Sequence, residues 1–413
     1  MRVIGKVIGR SGLVIAACVA MFAVSGIGAS DAMACVTGQI PSAGEGAGLQ
    51  GIAQGIWTTN YFSTCEVTYT ANASGQGLIA FGFGNESINH KFQFVGTDDA
   101  PDEVQIENAE AVAGGAEPVI VPVTQTAIAV VVHPPTGCTL SKITSIDLNK
   151  VFGGNAIKNW NEFETATGGA SCKSPVTRVV RNEGSGVTYQ FKNYLATVAS
   201  QLGGENLPCT TEFHTKWIEL REIGTEEDPN RIWPECSGGS SVVRAAGDAA
   251  EAAKVVATTG TIGYASLPNA VAQGATIASL QNGLAAGVPT YASPKGASSN
   301  ANCSATVYDV PSAAQSGSPA SDWSEVFGAY PQIGGTAYPL CTLTYDIGWR
   351  GYATAGYGMH SPEYATTVKS YLRFVLSKLQ QGAIGGHWYA GLPTGLPTFD
   401  VWGAAELAAE EIN

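Results

Sequence analysis

Arg178-Val-Val-Arg-Asn-Glu-Gly-Ser-Gly-Val-Thr-Tyr-Gln-Phe-Lys-Asn-Tyr-Leu195 is the stretch on which the reading of this 413-residue chain turns. Val176 to Val180 is apolar and β-prone, and reads as a short strand. Asn182-Glu-Gly-Ser-Gly186 reads as a turn, and the residues after it as a helix burying Tyr189, Tyr194 and Leu195. The N–H groups of the turn and the hydroxyls of Ser185 and Thr188 then lie at a helix start, where unpaired donors and the positive dipole end collect. Such a start suits an oxyanion. Arg181 beside it adds a planar donor fork. The plainer reading is a strand-to-helix turn with Ser185 as its cap.

Working outward, two further glycine-rich stretches share that character: Gly44-Glu-Gly-Ala-Gly-Leu-Gln-Gly51 and Ala71-Asn-Ala-Ser-Gly-Gln-Gly77. The first is read as a loop opening a helix. Its GxGxxG is discounted as a dinucleotide site because no clean hydrophobic strand precedes it. Gly96-Thr-Asp-Asp-Ala-Pro101 ends a strand at Phe92–Val95. Val119 to Val132 reads as two strands with a polar link at Thr124-Gln125, crossing between domains. Cys209 to Cys236 reads as a surface excursion, Ser240 to Val256 as a helix, Thr261 to Ala265 as a buried strand, and Tyr338 to Ile347 as another. The helix opened by Ser361-Pro362 is expected to end at Gly382. Strands and helices alternate throughout, which argues for an α/β fold.

Composition sets the outer limits. The length favours two domains, and 13% charged residues with 51 glycines suit a loop-rich globular protein. Arg2, Lys6 and Arg10, the apolar run Leu13–Val24 and Ala32-Met-Ala34 form a signal-peptide pattern over residues 1–34. Export is expected, to the periplasm, the cell surface or the medium, and Cys35 would permit a lipoprotein. Cleavage would take the net charge from −13 to −15 by removing those three bases and Asp31. Nucleic acid is therefore not an expected partner. Eight cysteines remain after Cys18 is removed, and pairing of sequence neighbours is expected: 35–65, 138–172, 209–236 and 303–341. No spacing of His and Cys suggests a metal, and no cofactor is expected.

The seven segments stand in the order of a known family. They are Gly44–Gly48 with Trp57, Tyr69 with Ser74–Gly77, Gly96–Pro101, Leu148–Gly154 with Trp160, Arg181–Gly186 with Tyr194-Leu195, Gly260–Tyr264, and Tyr338-Pro-Leu340. In these segments the chain resembles the phosphate-specific solute-binding proteins of ABC importers. The resemblance implies a two-lobe, periplasmic-binding-protein-like (type II) α/β fold with a ligand cleft between the lobes. Lobe 1 would comprise 35–124 and 291–413, and lobe 2 would comprise 125–290. It implies a monomer that captures inorganic phosphate, or arsenate, and delivers it to a membrane permease.

Carried over residue by residue, the expected phosphate contacts are Gly48, Leu49, Ser74, Asp99, Arg181, Ser185, Gly186, Val187 and Thr188, with Glu183 behind Arg181. Asp99 would accept the ligand's proton, which sulfate lacks, and Asp98 is its adjacent alternative. Gly48 and Val187 stand where the family usually carries hydroxyls, and Glu183 where it carries aspartate. Each residue also has a structural reading: Arg181 as an ion pair with Glu183, and Asp99 and Ser74 as helix caps. Trp57, Trp160 and Trp233 are read as core. Two other functions compete, a structural or weakly binding surface protein of the same fold and a phosphatase-like enzyme. No GxSxG, HExxH or P-loop supports the latter, so no enzyme is expected.

Overall fold

The structure, a computed structural model, describes residues 35–413 apart from 154–156, 203–216, 218–229, 235–240, 283–289, 305, 317, 319–322, 325, 327–337 and 396–399. The expected signal segment and the Cys209–Cys236 pair lie outside the described residues.

In chain order the elements begin β1 (Ser42–Gly46), α1 (Gly51–Tyr61), β2 (Val67–Ala71), α2 (Ser74–Ala80), β3 (Phe94–Thr97), α3 (Glu103–Val112) and β4 (Glu117–His133). Then come β5 (Lys142–Ile143), α4 (Ser145–Phe152), β6 (Thr177–Arg181), α5 (Gly186–Leu202), β7 (Val242–Ala245), α6 (Asp248–Ala257), β8 (Thr261–Ser266) and α7 (Leu267–Ala272). The chain closes with β9 (Ile277–Gln281), β10 (Tyr291–Ala292), α8 (Ser312–Gln315), β11 (Cys341–Arg350), α9 (Ser361–Leu376), α10 (Lys378–Gly385), β12 (Tyr389–Ala390) and α11 (Val401–Glu410).

The strands follow one curled path, β2-β1-β3-β11-β4-β8-β6-β7, with β5, β9, β10 and β12 alongside. Parallel pairs occupy both ends, β1 with β2 and β3, and β6 with β7 and β8. Helices pack on these strands, among them α2 on β1 and β3 and α6 on β6 and β8. At the centre β11 and β4 run antiparallel. Strand β4 is the seam: Glu117–Ala127 pairs with β11, and Ile128–His133 pairs with β8.

Several expectations need correction. Gly44 and Gly46 belong to a strand, not a loop. A Cβ on Gly44 would come within 2.4 Å of the Phe94 ring, and one on Gly46 within 2.1 Å of the Gly96 carbonyl. These glycines let β1 lie flush against β3. Strand β4 is continuous: Thr124 and Gln125 pair regularly with Thr344 and Leu343, and the register shift between Thr344 and Tyr345 passes over Val123. Val242–Ala245 is strand β7, and the helix starts only at Asp248. Helix α9 stops at Leu376, because Ser377 takes an extended conformation and caps α10, which contains Gly382. The described part of the 209–236 segment is not surface: Trp217 and Trp233 are wholly buried, and so is Arg231 at 4% exposure. Trp57 and Trp160 are core, as expected. The disulfides Cys35–Cys65, Cys138–Cys172 and Cys303–Cys341 form as expected.

Candidate anion-binding site

Two groups of residues far apart in sequence meet where the β1–β3 end of the sheet faces the β6–β8 end. On the first side Ser74 opens α2. Its hydroxyl donates to Asp98 Oδ2 at 3.2 Å and accepts the Asp98 amide at 3.1 Å. Asp98 Oδ1 lies 2.9 Å from the Thr344 hydroxyl on β11. Asp99 follows, and its Oδ2 accepts from Arg231 Nε at 2.7 Å. Both aspartates are 1% exposed. Burial pushes the Asp98 carboxyl up to about 8, with Asp248 and Asp99 adding repulsion and the Thr344 and Ser74 hydroxyls opposing.

On the second side β6 delivers Arg181, and the turn leads into α5 at Gly186. Arg181 Nε donates to Glu183 Oε1 at 2.6 Å, and Nη2 reaches the same oxygen. Arg181 Nη1 stands 3.6 Å from Asp248 Oδ1. Burial acts to lower the Arg181 pKa, but Asp248, Glu183 and Glu251 together raise it, so the guanidinium stays charged. Glu183 Oε1 is also held by the Gly247 amide at 3.0 Å.

The two sides touch. Gly75 N–H points to the Gly184 carbonyl at 3.4 Å. A Cβ on Gly186 would come within 2.5 Å of Asp99 Oδ1, so only glycine permits this approach. The Ser185 amide donates to the Arg231 carbonyl at 3.0 Å, so Arg231 fastens Asp99 to the turn. Asn269 Nδ2 spans Asp248 Oδ2 at 2.7 Å and the Gly48 carbonyl at 3.2 Å. A cleft of about 640 Å³ lies outside this contact, with Gly48, Ile52 and Gln76 on one wall and Glu183, Gly247 and Asp248 on the other.

Of the residues expected from sequence, Ser74, Asp99, Arg181, Ser185 and Gly186 converge here, with Asp98 beside them. Glu183 pairs with Arg181. Gly48 and Leu49 precede α1 at the cleft, and the Leu49 carbonyl accepts from Tyr389 Oη at 2.6 Å. A side chain on Gly48 would crowd the Asn72 carbonyl at 3.1 Å, which gives a physical reason for a glycine there. The structure limits what two of the expected residues can offer. Val187 packs its side chain in the hydrophobic core and can offer only its amide. The Thr188 hydroxyl does not reach this site, since it bonds Tyr264 Oη at 2.8 Å. Sequence reasoning missed Arg231, Asp248 and Asn269. Asp248 was findable as the acidic start of a helix. Nothing local marks Arg231. Among the described residues no cluster of His, Cys, Asp and Glu could hold a metal ion.

Within a curled α/β sheet, Ser74, Asp98 and Asp99 thus face the Arg181–Gly186 turn beside a cleft. The chain matches the PBP superfamily domain over residues 29–378 and belongs to that family. It is similar in structure to a high affinity periplasmic phosphate-binding protein, PfluDING, solved with phosphate (TM-score 0.63, 19% identity, covering 89% of this chain and 92% of that one). It is likewise similar to an ancestral soluble variant of the Human Phosphate Binding Protein (0.62, 22%, 89% and 92%). A third is a phosphate-binding protein from Stenotrophomonas maltophilia (0.58, 15%, 89% and 93%). At such identities the likeness establishes the shared fold. No curated protein sequence matches the chain.

Proposed function

We propose that this chain captures inorganic phosphate between two lobes outside the cytoplasm and delivers it to the permease of an ABC importer. Lobe 1 comprises 35–124 with 291–413, and lobe 2 comprises 125–290. The observation that supports the reading is the approach of the Gly184–Gly186 turn to Gly75 and Asp99, with Ser74, Asp99, Arg181 and Ser185 each buried. The Ser74 and Ser185 hydroxyls, the amides of Gly48, Leu49, Gly186 and Val187, and the Arg181 fork donate to phosphate oxygens. Thr188 serves through its amide, which holds Ser185 Oγ at 3.4 Å.

Asp99 is the acceptor of the ligand's proton. Arg231 balances its charge, so it can remain a carboxylate in a buried site, and a carboxylate facing sulfate would leave two acceptors opposed. The buried site admits a ligand only when the lobes part. The disulfides and the phosphate-binding structures of the same fold support an extracytoplasmic location. Among the described residues no helix is long and apolar enough to cross a membrane. Nothing in the geometry favours ester hydrolysis over binding.

Calorimetric titration with phosphate and sulfate tests the reading. Phosphate is expected to bind at least ~100-fold more tightly, the cost of about 3 kcal/mol for opposed buried acceptors. Equal affinities, or binding of neither anion, would sink it.

A further inference from the structure

A chain of buried hydrogen bonds runs behind the site, and its donors are fixed as far as Thr344. Tyr371 Oη donates to Gln54 Oε1 at 2.6 Å, so the Gln54 amide nitrogen must face the other way. That nitrogen donates to Gln50 Oε1 at 2.7 Å and to Asp346 Oδ2 at 2.9 Å. Gln50 Nε2 then donates to Thr344 Oγ1 at 3.1 Å and to the Tyr345 carbonyl at 3.2 Å. Thr344 is left with one hydrogen and one lone pair. It has two neighbours for them, the Thr97 carbonyl at 3.0 Å and Asp98 Oδ1 at 2.9 Å.

Two arrangements satisfy every group. If Asp98 is a carboxylate, Thr344 donates to it. If Asp98 carries a proton on Oδ1, it donates to Thr344, and Thr344 turns its hydrogen to Thr97. The surroundings choose between them. Asp98 faces Asp99 along its own segment, Asp248 from α6, Tyr69 from β2 and Tyr389 from β12. Among the described residues no cation pairs with it, and Arg231 engages Asp99 instead.

We propose that Asp98 is a second carboxyl of the site, one that carries a proton when the cleft is closed, and that Thr344 is the positioning residue whose hydroxyl, as the donor to the competing carboxylate form, sets the pH at which that proton leaves. This rests on the phosphate reading above. The two adjacent aspartates then divide the work: Asp99, balanced by Arg231, accepts the ligand's hydrogen, and neutral Asp98 adds no negative charge against the anion. An open, hydrated cleft returns Asp98 to an ordinary carboxylate, so closure on phosphate takes up one proton. The uptake is present above the ordinary carboxylate range and fades as pH rises through about 8, where burial has placed this group.

Calorimetric titration of phosphate in buffers of different ionisation enthalpy counts that proton. From ~pH 6 to ~pH 7 the wild type is expected to take up close to one proton more per phosphate than Asp98→Asn, the difference fading above ~pH 9. Thr344→Val removes a charge-assisted donor to the carboxylate and should move the fade at least ~0.5 pH unit higher, with Thr344→Ser restoring it. If Asp98→Asn does not fold, the comparison of Thr344→Val with Thr344→Ser still decides. Identical proton counts in wild type and Asp98→Asn, or a pH profile indifferent to Thr344→Val, overturn the inference. Wild type that binds no phosphate overturns the phosphate reading itself, and this inference with it.

Discussion

Arg181 holds together charges that would otherwise repel. Its fork meets the partly exposed Glu183 and approaches the buried Asp248. Arg181→Ala is expected to lower phosphate affinity by at least ~100-fold, and to cost about 3–5 kcal/mol of stability by leaving buried carboxylates uncompensated. Arg181→Lys keeps the charge but loses the fork, and should recover stability more than affinity. Titration and urea unfolding separate the two effects. Asp98 gives a prediction in pH. In the closed, phosphate-bound protein its pKa of about 8 stands above the ordinary 3.8, so that folded state binds the extra proton and the prediction applies at saturating phosphate. Stability is greatest below the ordinary value, falls as pH rises from ~4 to ~8, and is level above, by at most about 1.4 kcal/mol per pH unit. Asp98→Asn should flatten this slope in unfolding midpoints measured across that range. A wild-type slope that persists in the variant would contradict the assignment.

Among the elements, β1 is the most exacting. Gly44 lies under the Phe94 ring, which stacks on Tyr69 at 6.0 Å between centroids. Gly44→Ala is expected to cost about 1–3 kcal/mol by overpacking, and Phe94→Leu added to it should recover part of that loss. Simple additivity of the two changes would show that β1 and β3 are not coupled this way. This strand also shows what the sequence conceals. A strand is ordinarily recognised by apolar alternation, and Ser42–Gly46 has none, because its requirement is closeness of backbones. The Arg178–Leu195 turn was legible because its apolar strand, glycines and helix periodicity are all local. So was the pairing of Arg181 with Glu183, whereas Ser74 and Asp99 were singled out through the family resemblance. Arg231 was not, since its partner Asp99 is 132 residues away. The Thr188 hydroxyl stands three residues from Ser185, yet the helix turns it into the core toward Tyr264.

At the scale of the whole molecule, β4 ties both ends of the sheet into one body, and the site closes where they face each other. The three described disulfides each clip a segment of 30, 34 or 38 residues. Reduction should lower the unfolding temperature, since loops of this size stabilise by about 3–4 kcal/mol each in the chain-entropy picture. Calorimetric scans with and without reductant check this, and an unchanged midpoint would contradict it. The central claim is that Ser74 and Asp99 from one side and Arg181 and Ser185 from the other enclose phosphate. A crystal structure grown from phosphate-containing buffer tests it most directly. The account predicts a tetrahedral anion in contact with all four residues, with Asp99 at hydrogen-bond distance from one oxygen. An anion elsewhere, or Arg181 still turned wholly to Glu183 and Asp248 with no ligand between the two sides, would contradict it.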